Sequence, residues 1–158
     1  MGWKEIFESR LTTAEEAVKK IKSGDRVVIA HATGEPVHVT DAMVANAEAY
    51  EDVEIIHMVS MGKSAYCAPG MEKHFRHNAF FLGGTTRAAC AEGRADITPV
   101  YFSKEPELLR TNCKPDVALV QVTPPDEHGY VSLGISVDYT MEAVKQAKTV
   151  IAQVNKYM

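Results

Sequence analysis

Residues 115–140, PDVALVQVTPPDEHGYVSLGISVDYT, decide how the rest of the chain is read. From Val117 to Val122 runs an apolar stretch of strand length, rich in β-branched residues, which suits a strand buried on both faces of a sheet. Pro124 and Pro125 end it, because neither can donate to a β-ladder. Asp126, Glu127, His128 and Gly129 then form a polar turn in which Gly129 is free to take positive φ. Residues 130–134 return as a short extended piece, and Asp138 stands where it can cap a helix over 139–147. A buried strand thus delivers a stiff polar loop to the carboxyl edge of a sheet, where ligands bind in open α/β folds. A purely structural turn would satisfy the same spacing.

Outward from this segment, strand and helix signals alternate. Residues 3–10 predict a leading helix with Trp3, Ile6 and Phe7 on one face. Thr13 and Glu16 have capping-box spacing; Ala14, Ala17, Val18 and Ile21 follow at helical spacing, and Gly24 is the stop. Residues 26–30 predict the first buried strand. Pro36 fits the first turn of a helix that runs to about residue 50, and a second strand covers 53–59. In the middle third the spacing predicts a helix over 71–75, a strand over 79–82, a small-residue helix over 88–92, a strand over 97–102 and a helix over 106–111. The last strand covers 149–154. Such alternation predicts one α/β domain over 1–158, with a mostly parallel sheet and helices on both faces. Right-handed crossovers then place the strand-to-helix loops along one edge.

Composition narrows the class. The 158 residues suit one domain with a real core. A hydrophobic fraction of 46% and a charged fraction of 24% are ordinary for a globular protein. The net charge of −4 argues against nucleic acid or an anionic membrane as a partner. No apolar run approaches the ~20 residues a membrane span needs, and the amphipathic start MGWKEIFESR has no signal-peptide core. Three scattered cysteines, Cys67, Cys90 and Cys113, fit free thiols in a reducing compartment, so the cytoplasm is the expected location.

Four loops are expected at the shared edge: residues 31–36, 60–63, 83–87 and 123–129. Gly83, Gly84, Thr85 and Thr86 precede a helix and present backbone N–H groups. Arg87 adds a fixed positive charge, so the turn can be an anion site or simply a tight turn with a helix cap. It is neither a P-loop nor a dinucleotide fingerprint. Glu35, between Gly34 and Pro36, sits at a helix start, where a carboxylate is stabilised without a catalytic role. His31 ends a buried strand and reads as a core histidine, and His128 reads as a solvated loop residue. His74 and His77 would share a helical face, but no cysteine or carboxylate has matching spacing, and no metal site is expected. No Ser-His-Asp or Cys-His arrangement stands out.

The blocks WKEIFESRLTTAEEAVKKIKSGDRVVIAH, GEP, DAMVANAEAY, HMVSMGK, TRAACAEGRADITPVYFSKEP and VTPPDEHGYVSLGISVDYTMEAVKQAK span nearly the whole chain. In this order and spacing they resemble the N-terminal half of the acetyl-CoA hydrolase/transferase family, most nearly the 4-hydroxybutyrate and butyryl CoA-transferases of fermenting bacteria. The resemblance implies an α/β fold shared with sugar-phosphate isomerases. It also implies transfer of coenzyme A from a short-chain acyl-CoA (4-hydroxybutyryl, butyryl or acetyl) to a free carboxylate, through a glutamyl-CoA thioester. The family's nucleophilic glutamate belongs to the second half, and no residue of this chain matches it. The chain is therefore expected to be an inactive half, partnered by a C-terminal catalytic domain in a homo-oligomer. Coenzyme A would be a substrate, with no permanently bound cofactor. By position, His31, Gly34, Glu35, Pro36, Ser60 and Gly62 would face the acyl group. Thr85, Thr86 and Arg87 would hold a carboxylate or the CoA chain, and Pro124, Asp126, His128 and Gly129 would close the cleft. An acyl-CoA hydrolase, or a non-catalytic domain binding an anionic metabolite, is the alternative.

Overall fold

Valine and isoleucine runs of four to six residues are too short for helices that bury themselves, and they pair instead as a central sheet. In the computed structural model, which describes residues 2–158, the strands are β1 (Arg26–Ile29), β2 (Val53–His57), β3 (Phe75–Ala79), β4 (Ala95–Ile97), β5 (Val117–Val122) and β6 (Thr149–Val154). They form one sheet in the order β4-β3-β2-β1-β5-β6, and every pairing is parallel. The helices are α1 (Trp3–Arg10), α2 (Ala14–Val18), α3 (Val37–Ala45), α4 (Arg87–Ala91), α5 (Glu105–Arg110) and α6 (Asp138–Gln146).

Alternation along each strand divides the core into two layers. Val27, Ile29, Val53, Ile55, Val117 and Leu119 pack with Val18, Met43, Tyr50 and Ala89, so α2, α3 and α4 cover one face. Val28, Ala30, Ile56, Ala118 and Val120 pack with Leu109, Tyr139 and Ala143, so α5 and α6 cover the other. All six residues of β5 are buried, as a strand covered on both faces requires. Full burial of a side chain such as Leu119 contributes about 2 kcal/mol. From β1 the chain steps outward through β2, β3 and β4, and then returns to the other side of β1 as β5 and β6. The strand order therefore reverses between β1 and β5, and the crevice above such a reversal is where open α/β sheets take their ligands.

The expected elements are present, with five corrections. Residues 71–75 are not a helix but turns leading into β3, and the strand expected over 79–82 ends at Ala79. In FRHNA the buried positions are Phe75, His77 and Ala79, and a histidine on the inner face hides the alternation. His74 and His77 consequently share no helical face. β4 is only Ala95–Ile97: Thr98 N still donates to Ala79 O at 2.9 Å, but Pro99 has no N–H to continue the ladder, and residues 102–104 make a 3-10 turn. The helix after Pro36 stops at Ala45, where Asn46 takes over and turns its amide to the Tyr50 hydroxyl at 2.7 Å. α2 stops at Val18, although Ile21 further on is still buried.

Candidate active site

The loops after β1 and β2 meet at the carboxyl edge. Ala32, at φ 51°, bends the chain away from β1, and its amide donates to Val59 O at 2.8 Å. Gly34 then passes against the loop after β5, so closely that a Cβ there would lie 2.7 Å from Ser136 Cβ. Next comes Glu35, only 4% exposed. Its carboxylate leans away from α3 and across to the second loop. Met61 N and Gly62 N donate to Oε2 at 2.7 and 2.9 Å, and Ser60 Oγ lies 3.4 Å from each oxygen. Two consecutive backbone amides converging on one oxygen make an anion cradle, and here Glu35 is its occupant. A Cβ on Gly62 would fall 2.7 Å from Glu35 Oε1, so any side chain there would displace the carboxylate from its present position.

A buried polar layer supports the second loop. Tyr66 Oη is 2.9 Å from His57 Nδ1. Burial, together with the charges of His77 and His31, pushes His57 down to about 3, so the ring that shares this hydrogen bond is neutral. Burial likewise pushes the Tyr66 phenol up, against neighbouring Ser64 and Ser60. His77 stacks edge-on to Tyr66 at 5.2 Å and donates from Nδ1 to Ile55 O at 3.0 Å. Ser64, at φ 50°, meets Thr85 with 2.8 Å between the hydroxyl oxygens.

At the β1/β5 reversal, His31 Nε2 lies 2.9 Å from Asp138 Oδ2. Burial pushes the Asp138 carboxyl up, but the His31 hydrogen bond and charge outweigh it and hold the group below the usual carboxylate range. Asp138 is the first residue of α6 rather than its cap, and its Oδ1 still accepts from Thr140 N at 3.2 Å. Tyr139 Oη donates to Ile29 O at 2.6 Å. The rings of Tyr139 and Phe102 flank His31 at 5.1 and 5.9 Å. Glu105, at the head of α5, is fully buried, and among the described residues neither of its carboxyl oxygens has a hydrogen-bond partner. Burial raises it to about 7, against the opposing influence of His31.

The remaining expected residues are arranged otherwise. In the Gly83–Arg87 turn, Gly83 N donates to Thr86 Oγ1, while Thr86 N and Arg87 N donate to Gly83 O, so these three amides are used within the turn. Arg87 is exposed and has no ion pair among the described residues. Asp126 Oδ1 accepts from His128 N and Tyr130 N, both at 2.9 Å, and Gly129 has φ +87°. This turn packs on α1: a Cβ on Gly129 would meet Trp3 Cγ at 2.7 Å, and Pro124 and Pro125 share a groove with Trp3 and Phe7. Its neighbour is thus the N-terminal helix, and it is Ser136 and Asp138, further along, that reach His31 and Gly34. Burial pushes the thiols of Cys67 and Cys113 up, which disfavours the thiolate. Among the described residues no group of three His, Cys, Asp or Glu side chains fits a metal ion, and no helix is long and apolar enough to cross a membrane.

Reading the sequence missed Asp138 as the partner of His31, the burial of Glu105, and the Tyr66–His57 pair. Only Glu105 left a signal, as an acid directly before Pro106 at a helix start.

Residues 1–158 match the acetyl-CoA hydrolase/transferase N-terminal domain family. The chain is 54% identical to the 4-hydroxybutyrate coenzyme A transferase of Clostridium kluyveri over 100% of its own length and 37% of that protein's. It is 36% identical to the succinyl-CoA:cyclohexane-1-carboxylate CoA transferase of Geobacter metallireducens, over 98% of the chain and 35% of the relative. Among solved structures, the 4-hydroxybutyrate CoA-transferase of Porphyromonas gingivalis superposes with a TM-score of 0.80 at 35% identity, covering 99% of this chain and 36% of that one. RipA from Yersinia pestis superposes at 0.94 with 25% identity, covering 100% and 39%. The chain therefore spans little more than a third of the length of these relatives.

Proposed function

The chain belongs to the acetyl-CoA hydrolase/transferase N-terminal domain family, and on that premise we propose that it forms one wall of the cleft of a CoA-transferase. The reaction moves coenzyme A between a short-chain acyl-CoA, of the 4-hydroxybutyryl, butyryl or acetyl type, and a free carboxylate. The observation that carries this reading is 54% identity, along the whole chain, to a protein named for 4-hydroxybutyrate CoA transfer. A glutamate carboxylate attacks the thioester carbonyl and expels CoA thiolate, leaving an acyl-glutamyl anhydride. The thiolate then attacks the glutamyl carbonyl and releases the donor's acid, and the acceptor carboxylate in turn takes the CoA. Dividing the exchange in this way replaces one difficult step with easier ones.

We assign that nucleophile to a further domain outside residues 1–158. Glu35 is poorly suited to the role, because backbone amides already engage its Oε2 and it is buried away from solvent. Its place is to hold the second loop against the first, with His31, Gly34, Ser60 and Gly62 around it. The exposed apolar side chains on the same edge, Tyr101 and Ile135 at 84% each and Tyr130 at 73%, fit a face covered by the further domain. The complete protein, incubated with butyryl-CoA and ¹³C-acetate, is expected to yield labelled acetyl-CoA by mass spectrometry. Release of free CoA with no labelled thioester would make it a hydrolase. No turnover of any acyl-CoA, with an anionic metabolite still bound, would make it a binding domain.

A further inference from the structure

Three elements converge on one imidazole. His31 ends β1, Asp138 heads α6 and Glu105 heads α5, and α5 packs along α6. Nε2 of His31 is satisfied by Asp138, whereas Nδ1 is buried and has no partner. Both oxygens of Glu105 are buried without a partner as well. A buried polar atom left unpaired is strongly disfavoured, so neighbouring orphans of complementary type are expected to satisfy each other. Phe102, three residues before Glu105, stacks against the His31 ring, and Glu105 feels both His31 and Asp138 electrostatically. The three groups therefore lie in one another's field.

We propose that Glu105 is a positioning residue for the transfer reaction: its carboxyl donates a hydrogen bond to His31 Nδ1 across one water. Asp138 accepts from Nε2–H on the other side, and the imidazole so clamped fixes the loop that carries Glu35. In this state the Glu105–His31 pair holds two protons and Asp138 holds none. Loss of one proton leaves two buried carboxylates around a neutral ring with a single N–H, and that N–H can serve only one of them. The clamp then opens on one side. Its neighbours do not titrate near neutrality: Tyr139 on α6 and Tyr66 are pushed up by burial, His57 on β2 is pushed down to about 3, and Asp138 is held low. The proton that moves near pH 7 is the one on Glu105.

The catalytic consequence rests on the CoA-transfer reading above; the protonation does not. In the complete protein labelled with ¹³C-glutamate, the Glu105 carboxyl, assigned by its loss in Glu105→Gln, is expected to stay protonated at pH 6 and to titrate near 7. His31 is expected as the Nε2–H tautomer. A Glu105 signal titrating near 4.5 overturns the proposal. Transfer activity, as kcat/KM, is expected to fall on the alkaline side with the same midpoint in the wild type and to be flat from pH 6 to 8 in Glu105→Gln, whatever its plateau. Glu105→Leu is expected to lower kcat about ten-fold at pH 6. A Glu105→Gln profile identical to the wild type overturns the positioning role. The expected spectra with no transfer by the wild type would support the clamp and overturn the transferase reading.

Discussion

Glu35 and Glu105 are both buried, at 4% and 0% exposure, yet their surroundings are opposite. Glu35 lies in a cradle of two backbone amides and a serine hydroxyl. Glu105 lies at the head of a helix with no hydrogen bond to either oxygen. The difference comes from the backbone around each. The second loop turns at Gly62, where the lack of a side chain lets consecutive N–H groups close on a carboxylate. α5 begins with Glu105 itself, and Pro106 behind it brings no N–H. Burial alone does not set what a carboxylate can do; the donors that the chain aims at it do.

Removing the cradle's occupant is expected to have the largest effect. Glu35→Ala leaves the Met61 and Gly62 amides without their acceptor and should lower stability in urea by about 4 kcal/mol, as two charge-assisted bonds are lost. A change below about 1 kcal/mol would show that the amides find another partner.

For Glu105 the comparison becomes a pH dependence. Its folded value of about 7 lies above the unfolded 4.5, so the folded state keeps a proton that the unfolded chain releases. The unfavourable contribution is absent below 4.5, grows as pH rises through the window, and is complete above about 7. Replacement by glutamine should widen the stability difference, variant minus wild type, by about 3 kcal/mol between pH 4.5 and pH 8. A constant difference would mean that Glu105 ionises freely in the fold.

Gly62→Ala tests the shape of the cradle. The new Cβ would sit 2.7 Å from Glu35 Oε1, so the carboxylate must shift and weaken its amide bonds, at about 2 kcal/mol. Gly84→Ala, where a Cβ meets nothing within 4 Å, serves as the control. The smallest effect is expected at Arg87, exposed and without an ion pair among the described residues, beside a turn that closes on itself. Arg87→Ala should leave stability within about 0.5 kcal/mol. Any rise in KM would then report a contact with substrate rather than a structural defect.

The sheet was legible wherever pattern and burial agree. β5 and β6 lie on the expected residues because 117–122 and 149–154 are apolar runs rich in β-branched residues, broken only by Gln121, Thr149 and Gln153. β3 was not, because its inner face includes His77, a polar residue whose burial depends on partners from β2 and Tyr66. The grouping of His31, Gly34, Glu35, Ser60 and Gly62 at one edge followed from topology. The direction of the Glu35 side chain did not, since a helix start and a facing loop offer amides equally well. Asp138 was read as a cap, and it does accept from Thr140; its second oxygen reaches a residue 107 positions away, which local spacing does not record.

In the proposed reaction this domain shapes the cleft while the covalent glutamate lies outside it, and trapping that glutamate tests the placement. The complete protein is incubated with acyl-CoA alone, the glutamyl thioester is reduced with borohydride, and the modified peptide is mapped by mass spectrometry. A single modified glutamate outside residues 1–158 is expected, with Glu35 and Glu105 untouched. Modification of Glu35, or of any residue within 1–158, would contradict it.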